Sequence, residues 1–169
     1  MAQGLARERD TEPREIEIET ARVLERRQSR YGVIDIGSNS IRLVVYDDLS
    51  RAPFPRFNEK SLCALGAALD DDGRFRQEAL DTALHSIRRF HAIARAMEVR
   101  RIDVLATEAT RKAKNGKDFV DAIREATGLE TRILSGEEEA TYTAHGVISG
   151  FFQPKGLVGD IGGGSLEVA

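Results

Sequence analysis

The sequence has little of several features that define common classes of protein. It contains one cysteine, Cys63, among 169 residues, so no disulfide can form within the chain and a cytoplasmic location is expected. No apolar stretch approaches the roughly 20 residues that span a bilayer, and no signal-peptide core is present. Basic residues are not in excess, since 25 Lys+Arg stand against 28 Asp+Glu and give a net charge of -3. We therefore expect a soluble α/β protein that binds neither membranes nor nucleic acid.

The first 30 residues differ in composition from the rest. Seven arginines and seven acidic residues make 14 of these 30 residues charged, and none is aromatic. Such a segment buries too little apolar surface to offset the entropy that it would lose on ordering. We expect residues 1–30 to form a charged flexible tail and residues 31–155 to form the first domain.

From residue 31 onward, the hydrophobic pattern predicts alternating strands and helices. Two β-branched runs, 31–36 and 41–46, flank a small-residue turn and predict a hairpin. Apolar residues that recur every three or four positions predict a long helix over 77–97. The other expected elements are a strand at 56–65, a strand at 102–106, a basic loop at 110–117, a helix capped by Asp118 and ended by Gly128, a strand at 131–134, a helix at 135–149 and a strand at 156–161. The order β-β-β-α-β-α-β-α predicts a mixed, ribonuclease-H-like sheet.

One segment of the sequence occurs twice. Residues 33–43, Val-Ile-Asp-Ile-Gly-Ser-Asn-Ser-Ile-Arg-Leu, align with residues 158–168, Val-Gly-Asp-Ile-Gly-Gly-Gly-Ser-Leu-Glu-Val. The two aspartates lie 125 residues apart (160 minus 35), about the size of a small domain. A repeat at this distance predicts two domains of the same type, each opening with the same hairpin. We expect residues 156–169 to be the start of the second domain and the chain to be an N-terminal fragment.

Both repeats carry residue types that bind phosphate. Small residues let backbone N–H groups approach an anion closely, and serine and asparagine add neutral donors. The predicted phosphate-binding residues are Gly37, Ser38, Asn39, Ser40, Gly162, Gly163, Gly164 and Ser165. The aspartates that precede the loops, Asp35 and Asp160, can hold Mg²⁺ beside a bound phosphate. Each loop alone could be a plain hairpin turn, and each aspartate a hydrogen-bonding turn residue, but the duplication favours phosphate binding.

Four motifs, in this order, give the chain a resemblance to a known family. They are Asp35-Ile-Gly-Ser-Asn-Ser40, Ala106-Thr-Glu-Ala-Thr-Arg111, Ser135-Gly-Glu-Glu-Glu-Ala140 and Asp160-Ile-Gly-Gly-Gly-Ser165. With these motifs, residues 31–169 resemble the exopolyphosphatase / guanosine pentaphosphate phosphohydrolase (Ppx/GppA) family. That family belongs to the actin-like, sugar kinase and Hsp70 ATPase superfamily. The resemblance implies an actin-like ATPase fold, Mg²⁺ as cofactor and a possible homodimer when the chain is full length.

The resemblance also selects residues that the sequence alone leaves open. The third long helix opens with three glutamates, Glu137, Glu138 and Glu139. Acidic residues are common in the first turn of a helix because they favour its dipole, so any of the three could be functional. The family uses the last glutamate before alanine, which implies that Glu139 is the catalytic base and that its neighbours are solvated. The family also implies a metal site near the second loop, which ranks Asp160 above Asp35 and makes Glu167 a further acidic contact.

Arg111 closes the second motif and begins a basic loop with Lys112, Lys114 and Lys117. Four cations in seven residues are usually a solvated surface. Because Arg111 comes after a strand end, next to the predicted phosphate loops, its guanidinium is suited to bidentate phosphate binding. We interpret the lysines as an electrostatic guide for a polyanion.

The resemblance implies a phosphoanhydride hydrolase that releases terminal phosphate from inorganic polyphosphate, from guanosine pentaphosphate or from both. Water activated by Glu139 would attack directly. One alternative is an ATP-dependent, sugar-kinase-like enzyme, although the Ser-Gly-Glu-Glu-Glu-Ala motif favours a hydrolase. Another is a non-catalytic regulatory module that binds guanosine tetra- or pentaphosphate. We expect the fragment alone to hydrolyse little or nothing.

Overall fold

Strands and helices alternate in the computed structural model much as the hydrophobic pattern predicts. The structure describes residues 30–162 and 166–169, so the predicted tail, except Arg30, lies outside the described residues. The elements are, in chain order, β1 (Tyr31–Ile36), β2 (Ser40–Tyr46), β3 (Pro55–Leu62), a 3-10 helix (Leu65–Ala68), α1 (Gln77–Ala96), β4 (Arg101–Ala106), α2 (Glu108–Lys112), α3 (Gly116–Thr127), β5 (Thr131–Ile133), α4 (Gly136–Gly150), β6 (Gly159–Ile161) and β7 (Leu166–Val168). The predicted order is confirmed, with the short helix α2 added. None of the described helices has the length and hydropathy needed to cross a bilayer.

The first five strands form one mixed sheet in the order β3-β2-β1-β4-β5. β1 pairs with β2, and β2 with β3, in antiparallel fashion, whereas β4 runs parallel to β1 and β5 parallel to β4. A short turn can join antiparallel strands, but parallel strands need a longer crossover, which α1 supplies between β3 and β4, and α2 with α3 supply between β4 and β5. This is the predicted ribonuclease-H-like arrangement. It places the carboxyl ends of the central strands β1 and β4 side by side.

The hydrophobic core lies on one face of this sheet. In β2, Ile41, Leu43 and Val45 are fully buried, while the residues between them face the other side, as the two-residue period of a strand requires. α1 and α3 cover the buried face and contribute the large core side chains Phe90 and Phe119. The opposite face carries polar and half-exposed residues, and Asp35 lies on it near the carboxyl end of β1.

The expected loop at 110–117 is largely helical, which corrects the boundaries inferred from the sequence. α3 begins at Gly116 with Asn115 as its N-cap, so Asp118 lies inside the helix instead of capping it. The buried Asn115 side chain donates to the Phe75 carbonyl at 3.1 Å and accepts from the Phe75 N–H at 2.8 Å. A Cβ on Gly116 would collide with the Thr110 carbonyl oxygen, so α2 and α3 pack too closely at this point for any larger residue.

β6 and β7 form a separate two-stranded sheet. Their antiparallel register pairs Asp160 with Glu167, just as Asp35 pairs with Arg42 in the first hairpin. The repeat in the sequence is therefore also a repeat of strand pairing. β6 begins at Gly159 instead of at 156, and α4 contacts both strands of this second hairpin.

Candidate active site

The first candidate phosphate loop is a tight turn anchored to the segment that follows β3. The Gly37 N–H donates to the Ser40 carbonyl at 3.0 Å, and a Cβ at Gly37 would lie only 3.3 Å from that oxygen. The Ser38 carbonyl accepts from Gly66 at 2.7 Å, and the Asn39 carbonyl accepts from two amides just before the 3-10 helix, at 2.9 and 3.1 Å. These bonds fix the carbonyl side of the turn to the domain.

The same bonds leave the amide side of the turn open. Within the described ranges, the backbone N–H groups of Ser38 and Asn39 donate no hydrogen bond to another residue. Ser38 is half-exposed and Asn39 is exposed. A pair of consecutive turn amides can receive an anion. The geometry is compatible with the predicted phosphate-binding role of Ser38 and Asn39, whereas the Gly37 amide is already bonded within the turn.

α4 begins with a capping box that positions the predicted base. Ser135 accepts from the Glu138 N–H at 3.1 Å, and the Glu138 carboxylate accepts from the Ser135 N–H at 2.9 Å. Glu138 also bonds Arg132, so it is a structural residue of the helix start and not merely a solvated one. Since the box fixes the first turn, it also fixes the direction of Glu139, which follows directly.

Arg111 forms an ion pair with Glu139. One guanidinium nitrogen, Nη1, donates to Glu139 Oε2 at 2.7 Å and also to the Leu134 carbonyl. Only 31% of the Arg111 side chain and 13% of the Glu139 side chain are exposed. The other terminal nitrogen, Nη2, faces the start of α4, at 4.0 Å from where a Gly136 Cβ would lie. Arg111 therefore orients Glu139, and the guanidinium has further donors that a phosphate can use.

The three lysines that follow Arg111 differ in their partners and exposure. Lys112 bonds the Glu108 carboxylate one helical turn before it, and that carboxylate is buried. Lys114 and Lys117 are exposed. Only these two therefore retain the environment expected of an electrostatic guide, and that role stays a prediction.

Two other carboxylates influence Asp35, at the end of β1. It is exposed to solvent on the open face of β1, yet the protein atoms around it limit its hydration, as in a cleft. This desolvation raises the pKa of Asp35, the negative charges of Glu139 and Asp160 raise it further, and the positive charge of Arg42 opposes them. The structure thus places Glu139 and Asp160 within electrostatic range of Asp35, although the three residues lie far apart in the sequence.

The second loop is described in part. Asp160 accepts a hydrogen bond from Thr143 Oγ1 at 3.2 Å, which ties β6 to α4, and Gly162 is exposed. Gly163, Gly164 and Ser165 lie outside the described residues, and so does the side chain of Glu167. Their predicted roles in phosphate and metal binding stay predictions.

The acidic residues are chemically suited to Mg²⁺. Mg²⁺ prefers oxygen ligands and is usually held by one or two carboxylates, with water and substrate phosphates completing its shell. The hairpin register places Asp160 directly opposite Glu167, and Asp35 is close enough to feel the charge of Asp160. No three described His, Cys, Asp or Glu side chains form a complete metal site by themselves. Asp35 and Asp160 thus offer carboxylate oxygens of the type that Mg²⁺ prefers, and metal binding at these residues stays a prediction.

Two contributors to the site are absent from the sequence-based prediction. Thr143, which holds Asp160, lies four residues after Glu139, so helical periodicity places both on one face of α4. That spacing is a signal the sequence does contain. Arg42, which faces Asp35 across the hairpin, follows from the strand pairing of the first repeat.

The fold and these groups define an α/β domain of ribonuclease-H-like type with a candidate phosphate site at the carboxyl end of its central strand. The chain belongs to the Ppx/GppA phosphatase family, whose family model matches residues 44–169. The resemblance seen in the four motifs is thereby confirmed.

Individual relatives support the same assignment. The chain is 34% identical over 143 residues to exopolyphosphatase 1 of Mycobacterium tuberculosis, an alignment that covers 83% of this chain and 42% of that protein. Among solved structures, the Aquifex aeolicus PPX-GPPA enzyme superimposes with a TM-score of 0.74 at 28% identity, covering 82% of this chain and 47% of that one. A Cytophaga hutchinsonii exopolyphosphatase gives a TM-score of 0.75 at 31% identity, covering 82% and 45%. The chain spans less than half the length of each of these relatives.

Proposed function

We propose that the protein is a phosphoanhydride hydrolase that releases terminal phosphate from inorganic polyphosphate, with guanosine pentaphosphate as a further candidate substrate. Membership of the Ppx/GppA phosphatase family supports the reaction class, and relatives described as exopolyphosphatases support the first substrate. The single observation that carries the proposal is the Arg111–Glu139 pair, which holds a carboxylate beside Asp35 at the end of the sheet.

Glu139 is the proposed base. Hydrolysis needs a water molecule in line with the terminal phosphorus, and a carboxylate can orient that water and accept its proton. The water oxygen forms a bond to phosphorus while the bridging P–O bond breaks. The electron pair of the broken bond leaves with the bridging oxygen of the shortened chain. Arg111 keeps the Glu139 carboxylate in one orientation and offers its remaining donors to the terminal phosphate.

The two loops bind the phosphate chain in this proposal. The Ser38 and Asn39 amides contact one phosphate from the first domain, and the loop that begins at Gly162 contacts it from the second hairpin. Asp160, Asp35 and Glu167 are the residues that would hold Mg²⁺, which supplies neutralisation of phosphate charge when bound.

The test replaces Glu139 in the complete protein. Glu139→Gln should lower phosphate release by about 10²- to 10⁴-fold, because the amide cannot accept the proton, while substrate binding survives. Glu137→Gln is the matched control, since Glu137 lies two residues away on the exposed side of the same helix turn and should retain full activity. The measurements are phosphate release and a separate binding titration with each substrate.

Three outcomes separate the hypotheses. Turnover that persists in Glu139→Gln would show that Glu139 is not the base. Binding of guanosine pentaphosphate without turnover in the wild type would favour a regulatory binding module. Release of phosphate from guanosine pentaphosphate but not from long-chain polyphosphate would reverse the proposed order of substrates.

A further inference from the structure

The helix that carries the proposed base, α4, packs loosely against the domain. None of its side chains is buried. A cavity of about 330 Å³ is bordered by Tyr142 of α4 and by Val33 and Leu105 on the open face of the sheet. Most helices in a folded domain are oriented by an apolar face that packs against the core. Because α4 has little such packing, its polar contacts have a larger part in fixing its orientation.

One residue of the sheet, Arg132 of β5, contacts α4 at two points. Its Nη2 donates to Glu138 Oε1, and its Nη1 donates to the Tyr142 hydroxyl oxygen at 2.9 Å. The guanidinium carbon also lies 5.7 Å from the centre of the Tyr142 ring, within the range of a cation–π contact. Glu138 and Tyr142 are four residues apart, so they are neighbours on one face of the helix. A single guanidinium therefore spans one turn of α4.

Arg132 itself lies at a distance from the reacting groups. The strand registers place it opposite Leu105 of β4, which in turn pairs with Asp35 of β1. Arg132 is therefore two strands away from Asp35, or about 10 Å across the sheet at the usual strand spacing. Its guanidinium is directed to α4, where it bonds Glu138 and Tyr142. An effect of Arg132 on the reaction would therefore pass through the helix.

We propose that Arg132 is a positioning residue, which sets the rotation of α4 about its axis and thereby the direction of Glu139. The proposal rests on the proposed function, because it treats Glu139 as the base. A helix turns as one body, so a rotation that moved Glu138 would move Glu139 by the same angle. A carboxylate about 6 Å from the helix axis shifts by about 1 Å for a rotation of about 10°.

Arg111 and Arg132 hold the start of α4 from two different elements. Arg111 bonds Glu139 at 2.7 Å, whereas Arg132 bonds the residue directly before it. Contacts at two neighbouring residues constrain the rotation of the helix more than either contact does by itself. A displacement of about 1 Å in a reacting group can cost about 10²-fold in rate. Loss of Arg132 alone should cost less than that, because Arg111 and the capping box remain in place.

Phosphate release from long-chain sodium polyphosphate by variants of the complete protein tests the effect on the reaction. Arg132→Gln should lower kcat by about tenfold and leave KM unchanged, because the substrate binds as before while the base is misplaced. Tyr142→Phe, which loses the hydroxyl acceptor and keeps the ring, should lower kcat by about two- to three-fold. Arg124→Gln is the matched control, since Arg124 is similarly exposed and forms its ion pair with Glu130, outside α4, at 3.0 Å.

Hydrogen exchange supplies a measurement that does not depend on turnover. The backbone amides of residues 139–143 should exchange about three- to ten-fold faster in Arg132→Gln than in the wild type, while those of β1 and β4 stay equally protected. Arg132→Lys should restore part of both the protection and kcat. The ammonium group keeps the ion pair with Glu138, but it lacks the planar fork that reaches Tyr142 at the same time.

The outcomes distinguish this role from the proposed activity. A raised KM at unchanged kcat in Arg132→Gln, or an equal fall of kcat in Arg124→Gln, would overturn the positioning role. Unchanged kcat in Arg132→Gln would overturn it as well, even if the α4 amides exchanged faster, because Arg132 would then stabilise the helix without orienting the base. Faster exchange of α4 in Arg132→Gln, when the wild type releases no phosphate, would support the link between Arg132 and α4 and contradict the hydrolase proposal.

Discussion

The two hairpins of this protein share one sequence pattern and one strand register, but they have different surroundings. β1–β2 lies inside a five-stranded sheet, with β4 on one side, β3 on the other and two helices over its buried face. β6–β7 forms a sheet of its own, with α4 as its neighbour. Equivalent positions show the contrast, since Ile36 is 1% exposed and Ile161 is 83% exposed.

The difference shows which properties the repeated segment carries with it and which come from its neighbours. The pairing of Asp with the residue seven positions later recurs in both copies, because local sequence determines it. Burial does not recur, because it depends on elements elsewhere in the chain. The exposed side chains of the second hairpin, Ile161, Leu166 and Val168, correspond to core residues of the first.

The largest expected effect comes from removing equivalent isoleucine side chains. In the full chain, Ile36→Ala should lower the free energy of unfolding by about 2–5 kcal/mol, because it leaves a cavity in a packed core. Ile161→Ala should change it by less than about 0.5 kcal/mol, as is usual for an exposed position. Denaturant titration with matched slopes measures both values.

The same pair of variants tests the predicted second domain. If Ile36→Ala and Ile161→Ala lowered the free energy of unfolding of residues 1–169 equally, the exposure of Ile161 would be contradicted. In a longer chain that contains a second domain of the same type, Ile161 would occupy the position that Ile36 has in the first, and the two losses should then converge.

The elements that local sequence determines are the ones that could be predicted. Two β-branched runs around a small-residue turn predicted β1 and β2, and the spacing of apolar residues predicted α1 to within one residue. The start of α3 was wrong because the Asn115 side chain has a long-range use, bonding Phe75, which no local pattern reveals.

The candidate site, like the fold, has a part that the sequence predicts and a part that it does not. The four motifs identified Asp35, Arg111, Glu139 and Asp160, and the structure brings these four residues to one end of the sheet. The direct bond between Arg111 and Glu139 could not be derived from the sequence, because it joins residues 28 positions apart on two elements whose packing only the fold defines.

A smaller change in the free energy of unfolding is expected from a substitution at the contact that anchors the first turn to the domain. A Cβ at Gly66 would lie 3.1 Å from the Ser38 Cβ, so Gly66→Ala should displace the first loop and cost about 1 kcal/mol of unfolding free energy. Gly146→Ala is the control, because nothing lies within 4 Å of its Cβ position in α4, and it should stabilise the chain by about 0.5–1 kcal/mol. If Gly66→Ala proves as favourable as Gly146→Ala, the contact with Ser38 does not hold the loop.

The smallest expected change in stability comes from the charges that the two hairpins bring together. Because desolvation and the charges of Glu139 and Asp160 raise the pKa of Asp35, the folded protein binds this proton more tightly than the unfolded chain does. Ionised Asp35 therefore destabilises the fold at neutral pH, and this cost disappears as pH falls towards the unfolded-chain pKa of about 3.9. Solvent screens these charges, since Asp35 is exposed, so the cost is modest.

Asp35→Asn should consequently raise Tm by about 1–3 °C at pH 7, with a gain that shrinks steadily towards pH 4. Asp160→Asn should give part of the same gain, because it removes one of the charges that act on Asp35 from the second hairpin. Asp121→Asn, at an exposed position of α3, controls for the loss of a negative charge and should show no such trend. A gain at Asp35 that did not vary with pH would mean that the hairpins are not electrostatically coupled, since the substitution would then act through packing alone.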